Sequence, residues 1–416
     1  MTTSNYPIRP LNITIVGAGI AGLTAAVALR KNGHLVQIFE TSEIKTEIGA
    51  ALGIQPNSLG VLNHLGVCRE NLNGVPFLGN IIFDAKGGEG ITRRWLVPGP
   101  NKNPGLLCHR SDLHAELKRL AIGVGEGVPA RLRLGTEVLE CNPEEGSVTL
   151  NNGEVVYADI VLGADGINSV IRHNILGRNI RGSPSGWSCF RAVFETDTLA
   201  EIPELQWVTE GISGARSVVP KEGPFRMLFV YPCRGGNLIN FVGFYTDSQE
   251  PVEVRKPIAS REDIEAVFRD FDPKFLRLLD LPTHSEIHRW KMRVLPLLPT
   301  WINGRAALLG DAAHATLPLL GQGAAMAVED AGALGCLFPA GTTRDDVQVR
   351  LEAYQNLRKD RGEFVNVNSV AQVSRIVNGE IPFARSQEMQ SYLLEYDVIE
   401  AARKCYEESF GHGSAA

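Results

Sequence analysis

The sequence predicts an α/β fold. A parallel sheet is interrupted by an inserted, mainly antiparallel sheet and followed by C-terminal helices. Three observations carry this. A strand, a helix and a second strand follow closely from Leu11 to Glu40, "LNITIVGAGIAGLTAAVALRKNGHLVQIFE". From Trp187 to Arg293 the pattern changes to alternating runs such as "CFRAVFE", "FRMLFVYP" and "LINFVGFY". Beyond them "GRAALLGDAAH" returns to a buried strand running into a turn and helix.

In the first stretch, Ile and Val dominate a run that ends at Gly17, Ala and Leu dominate the next, and Gly33 stands where a helix C-terminus favours glycine. Two parallel strands joined by a helix imply an α/β sheet. "IGAALGIQPNSLGVLNHLGV" reads as loop and then helix, and Asp84 to Gly105 as a hairpin with a surface loop. "CHRSDLHAELKRLA" has helical spacing, with Ser111 or Asp112 as the expected N-cap. "EVLECNPEEGSVTLNNGEVVYADIVLGADG" reads as strands and hairpins, and Val347 to Arg375 as one or two amphipathic helices, with "RKDRG" a charged helix face. The expected division is a discontinuous domain over 1–186 and 294–375, an inserted domain over 187–293, and a C-terminal helical segment over 376–416.

The chain has 416 residues, with 41 Lys and Arg against 47 Asp and Glu, a net charge of -6. That balance offers no general attraction to nucleic acid or an anionic membrane. Seven cysteines (Cys68, Cys108, Cys141, Cys189, Cys233, Cys336, Cys405) are scattered without a Cys-x-x-Cys, the pattern of reduced thiols in a cytoplasmic protein. The polar "MTTSNYPIRP" predicts no secretory leader, and "GHGSAA" no lipidation signal.

Three motifs carry chemistry. Gly17-Ala-Gly19-Ile-Ala-Gly22 follows a strand and opens a helix, whose free N–H groups and positive dipole end suit a pyrophosphate. Glu40, at the end of the next strand, is placed for ribose hydroxyls. In "GADGINSVIR", Asp165 follows a strand, and Asn168 or Ser169 caps a helix. In "GDAAHATLPLLGQGAAMAVEDA", Asp311 and His314 have the spacing of an acid/base pair. An aspartate at a strand end equally suits sugar hydroxyls, and N–H groups near Gly321 to Ala324 suit negative charge on a bound ring. His284 and His288 lie four apart without a zinc-binding context and read as surface or core histidines. No Gly-x-Ser-x-Gly elbow or P-loop is present.

In this order the motifs resemble the class A flavoprotein monooxygenases, with the fold of p-hydroxybenzoate hydroxylase and a salicylate hydroxylase-like branch. "VGAGIAGL", "GIQPNSLGVL", "HRSDLH", "GADGINSVIR", "GDAAHATLPLLGQGAAMAVEDA" and "YQNLRKDRG" carry the likeness over Leu11 to Arg375. The resemblance implies a Rossmann-like FAD-binding domain and an inserted substrate domain. It implies that Gly17, Gly19 and Gly22 hold the FAD pyrophosphate and Glu40 the adenosine ribose. Ala51 and Gly53 would run along the flavin, and Arg110 would contact FAD. Asp165 would serve FAD and NAD(P)H, and Asp311 the ribityl side. Gly323 and Ala324 would lie on the ring, and Pro318 would border the substrate.

Arg191 and Tyr231 match polar contacts to an aromatic substrate. The implied reaction hydroxylates a phenol or aromatic acid through a flavin C4a-hydroperoxide, with NADH or NADPH as a transient reductant and O2 as oxidant. Expected partners are a small aromatic substrate and O2, with no nucleic acid and no membrane, in a monomer or homodimer. The residues alone also admit an NAD-dependent dehydrogenase or a non-hydroxylating flavin-binding redox or regulatory protein.

Overall fold

A computed structural model describes residues 9–43, 51–95, 104–247, 258–377 and 387–411. Strand Asn12–Val16 is buried along almost its whole length, as a parallel strand covered by helices must be. It pairs in parallel with Leu35–Phe39 on one side and Ile160–Gly163 on the other. The sheet has six strands, in the order Ile302–Asn303, Ala306–Leu308, Ile160–Gly163, Asn12–Val16, Leu35–Phe39, Arg131–Arg133. Only the outermost pair, Ile302–Asn303 with Ala306–Leu308, is antiparallel.

The register of this sheet is what assembles the site. Val16 stands beside Gly163, and Gly163 beside Leu308. The three motifs, far apart in the chain, therefore leave the sheet side by side at the carboxyl ends of adjacent parallel strands. That edge is where open α/β sheets bind ligands. Helix Ile20–Lys31 packs against helix Gly323–Leu337 through small residues. A Cβ on Gly335 would lie 2.9 Å from that of Ala28, and one on Gly310 would lie 2.9 Å from that of Ala21.

The second sheet has seven strands: His288–Val294, Ser183–Glu195, Leu238–Thr246, Arg226–Cys233, Ala215–Val219, Gly79–Asp84 and Ile91–Arg94. It is antiparallel except where Ala215–Val219 meets Gly79–Asp84. The sheet thus extends beyond 187–293, because the hairpin of 79–94 joins it. Ile81 and Phe83 enter the core behind the sheet with Phe190, Phe194, Leu228, Phe241 and Phe268, which gives that hairpin its place. The opposite face carries Val193, Tyr231 and Leu238, packed with Ala51, Phe77 and Leu107 of a three-stranded sheet.

Several local expectations are corrected. The helix Arg110–Ile122 begins at Arg110, with His109 as N-cap and no side-chain cap. Ser111 meets His109 Nδ1 at 2.7 Å and Asp112 accepts Arg234 at 2.9 Å, so neither serves the helix start. Ala51–Ile54, expected as loop, is a strand paired with Gly105–His109. Val347–Val377 is one continuous helix, so the expected boundary at 375 falls inside it. Val398–Phe410 is a further helix, capped by Asp397. The loop part of 84–105 falls partly outside the described residues, as do residues 44–50.

Candidate active site

The three glycines of the first motif do different work. Gly17 has φ +103°, and a Cβ there would lie 2.4 Å from the Ala164 carbonyl oxygen. A Cβ on Gly22 would lie 2.0 Å from the Gly17 oxygen. Both are required by the fold itself. At Gly19, the N-cap, a Cβ would meet nothing within 4 Å, and no side chain caps the helix. This helix start faces open space, and its free amides could hold a diphosphate. Glu40 is held at its rim, where Oε2 accepts Ala18 N at 2.8 Å and Oε1 accepts Ser42 N at 2.9 Å. His114 Nε2 lies 2.8 Å from the Ala18 oxygen. The sequence reasoning missed His114, although its i+4 spacing from Arg110 puts both on one helix face.

Asp165 accepts Val170 N at 2.7 Å and Ile171 N at 3.1 Å through Oδ2. Its Oδ1 is buried without a hydrogen-bond partner, and burial raises its pKa. A buried acceptor without a donor suits a ligand hydroxyl or amide. Ser169 caps the next helix by accepting Arg172 N. Arg172 is fully buried and donates to the carbonyls of Ile167, Ile180 and Ala312, tying the second motif to the third.

Asp311 and His314 do not form a pair. Asp311 presents an exposed side chain at the strand-end recess, where the surrounding protein raises its pKa by desolvation and Arg110 and His314 oppose the shift. His314 is buried and meets Asp330 Oδ2 at 2.7 Å. The other Asp330 oxygen accepts Arg358 Nε at 2.9 Å, and Arg358 also reaches Glu329 at 2.7 Å. Glu329 in turn accepts Arg361 at 2.7 Å and Asn57 at 2.6 Å, and Asn57 donates to Gln322 at 3.0 Å. Desolvation pushes Asp330 up, but His314 and Arg358 outweigh it and hold it below the usual carboxylate range. The expected charged face of "RKDRG" is thus corrected. Arg358 and Arg361 are buried because the two carboxylates of "VEDA" meet them.

This network underlies Gln322, the residue before helix Gly323–Leu337. Gly323 and Ala324 sit half-buried in its first turn, with amides free of intrahelical partners. Pro318 is exposed and opens the short turn leading to Gly321, whose φ is +59°. Ala51 pairs with His109, immediately before Arg110, which brings Ala51, Gly53 and Arg110 to the same wall. Gly53 is half-buried, with Phe77 at ordinary contact distance from its Cβ position.

Arg191 and Tyr231 lie on the sheet face turned toward this wall. The expected substrate role of Tyr231 is altered by its hydroxyl, which is buried and donates to the Ala51 carbonyl at 2.7 Å. Burial pushes its pKa well up, against the opposing charge of Arg191. Tyr231 therefore holds the cofactor-side strand and is poorly suited to accept a substrate proton. Arg191 is half-buried, and its Nε has no hydrogen-bond partner. Among the described residues no cluster of His, Cys, Asp or Glu could hold a metal, and no helix is long and apolar enough to cross a membrane.

The chain is similar to known proteins along most of its length. Residues 116–369 match the FAD binding domain family, and residues 15–44 match an NAD(P)-binding Rossmann-like domain. Hispidin-3-hydroxylase of Neonothopanus nambi is 39% identical over 412 residues, covering 95% of this chain and 96% of that protein. 3-Hydroxybenzoate 6-hydroxylase of Polaromonas naphthalenivorans is 30% identical over 360 residues, covering 84% of each. The crystal structure of CtdE with FAD and substrate superposes with a TM-score of 0.82 at 21% identity, covering 96% of this chain and 98% of that one. These structures share the fold.

Proposed function

This chain belongs to the FAD-dependent aromatic monooxygenases, and from that premise we propose that it hydroxylates a phenol or aromatic acid with NADH or NADPH and O2. The observation that carries the substrate class is Arg191, a cation on the sheet face opposite the cofactor wall with Cys189 and Val242 as apolar neighbours. One relative is named for 3-hydroxybenzoate, a hydroxylated aromatic acid, and this supports the reading.

FAD, when bound, supplies the redox and oxygen-transfer chemistry. The chain's own residues position and shield. The amides at Gly19 and the helix start would hold the diphosphate, and Glu40 would turn from Ala18 and Ser42 to the ribose. Asp165 offers its free oxygen to the cofactor. Asp311 would accept from the ribityl hydroxyls, and the amides of Gly323 and Ala324 would face negative charge on the ring. Arg110 and Pro318 would border ring and substrate. Arg191 would hold an anionic oxygen of the substrate by charge-assisted hydrogen bonds. Tyr231 would fix the strand along the ring, and the apolar sheet face would keep water out.

We also assign the chain to the cytoplasm as a monomer or homodimer, with the seven-stranded sheet as its substrate domain. Free cysteines among the described residues support a reducing compartment. The test is the purified protein. It should be yellow, and a panel of phenols and aromatic acids should contain one that stimulates NAD(P)H oxidation and gains one oxygen atom. A colourless protein that reduces NAD in the presence of an alcohol or hydroxy acid would make it a dehydrogenase.

A further inference from the structure

His288 and Arg191 stand directly opposite each other on adjacent antiparallel strands, and Val242 flanks Arg191 on its other side. Opposed residues in such a pair share one face, with Cβ atoms about 4.5–5.5 Å apart. That face is apolar around them, with Cys189, Val242, Phe229 and Trp290 in one cluster. The edge strand His288–Val294 sorts its residues by face. Arg289 lies over the Phe190 ring on the opposite side and pairs with Asp263, whereas Trp290 and Met292 pack on the side of His288.

Among the described residues neither the Arg191 nor the His288 side chain makes a hydrogen bond or ion pair, and Arg191 Nε and His288 Nδ1 are buried without partners there. Among the described residues, three carboxylates of this domain have other partners. Asp247 meets Ser188 and Lys291, Asp263 meets Arg289, and Glu195 meets His284. A guanidinium in an apolar setting without a counter-charge is costly, and an anion that enters it relieves that cost.

We propose that His288 and Arg191 form a cross-strand cradle for one anionic oxygen of the aromatic substrate, with His288 as a specificity-determining residue. This rests on the assignment of the seven-stranded sheet as the substrate wall. Arg191 supplies a fixed charge and His288 a directed N–H donor. Together they select a carboxylate or phenolate over a neutral ring of the same shape.

Benzoate and benzamide, matched in shape and different in charge, test this by titration of the flavin absorbance of the purified holoenzyme. The wild-type protein should bind benzoate at least tenfold more tightly than benzamide. His288→Leu should cut benzoate affinity fivefold or more at unchanged FAD content and leave benzamide unaffected. His288→Gln, which keeps an N–H donor, should restore most of the preference. If Arg191→Met erases the preference and His288→Leu leaves it intact, His288 has no such role while the substrate wall stands. If neither variant alters it, or the wild-type protein is indifferent to the charge, the cradle is overturned, and the substrate panel separately decides the oxygenation.

Discussion

Tyr231 donates its hydroxyl proton to the Ala51 carbonyl at 2.7 Å, while Asn240, directly across the strand pair, accepts the Ala51 amide at 3.0 Å. The seven-stranded sheet therefore grips both ends of one residue in the strand that continues, through its partner His109, to Arg110. The proposed cofactor wall and the proposed substrate wall are registered against each other at this point.

Tyr231→Phe should leave the Ala51 carbonyl buried and unpaired, at a cost of about 1–3 kcal/mol. The expected result is a lower unfolding midpoint, weaker flavin retention and a several-fold loss of turnover. A tyrosine acting as proton acceptor would instead lose on the order of 100-fold or more in kcat at unchanged stability. Denaturant melts and kcat measured on the same preparation separate the two.

The glycine motif divides into fold and ligand positions. Gly19→Ala should fold with a normal melting curve and lose FAD, because its Cβ enters space the protein leaves open. Gly17→Ala and Gly22→Ala should fail to give soluble, folded protein, because each Cβ would overlap backbone oxygen. Circular dichroism and flavin content of the three variants check this. Loss of folding in Gly19→Ala would contradict it.

Asp311 and His314 should likewise respond differently. Asp311→Ala should lose flavin while stability holds, since the side chain is exposed at the strand end. His314→Phe should cost about 2–4 kcal/mol, because Asp330 loses a partner in a buried ionic network. Flavin retained in Asp311→Ala would remove that residue from the cofactor wall.

Much of this arrangement was legible in the sequence because its signals are local. The β-α-β unit, the positive-φ glycines and the strand ends at Asp165 and Asp311 each follow from a few neighbouring residues. What was not legible depends on residues far apart in the chain. "RKDRG" has the composition of a solvated face, and only the contact of Arg358 and Arg361 with Glu329 and Asp330 makes it core. The strand Gly79–Asp84 has no mark of joining the second sheet until Ala215–Val219 lies beside it. Tyr231 was recognisable as buried or functional, but the acceptor for its proton lies 180 residues away.

Glu116 gives a pH signature. Its bidentate contact with Arg119, helped by Cys68 N and Asn71, holds it down to about 2 from the ordinary 4.5. A carboxylate depressed on folding stabilises the protein above its unfolded pKa and loses that contribution as pH falls through the folded one. Glu116→Ala should therefore be destabilised by about 1–2 kcal/mol at neutral pH, the exposed Arg119 pair being screened by solvent. The gap from wild type should close between pH 4.5 and about 2. A gap independent of pH across that window would show that packing, not charge, sets the effect.

The most direct measurement is turnover of the yellow holoenzyme with NAD(P)H and a stimulating phenol or aromatic acid under isotopically labelled dioxygen. The product should carry one labelled oxygen atom per NAD(P)H consumed in coupled turnover. NAD(P)H consumed to hydrogen peroxide, with no labelled product for any substrate that stimulates oxidation, would contradict the assignment of this chain as an aromatic hydroxylase.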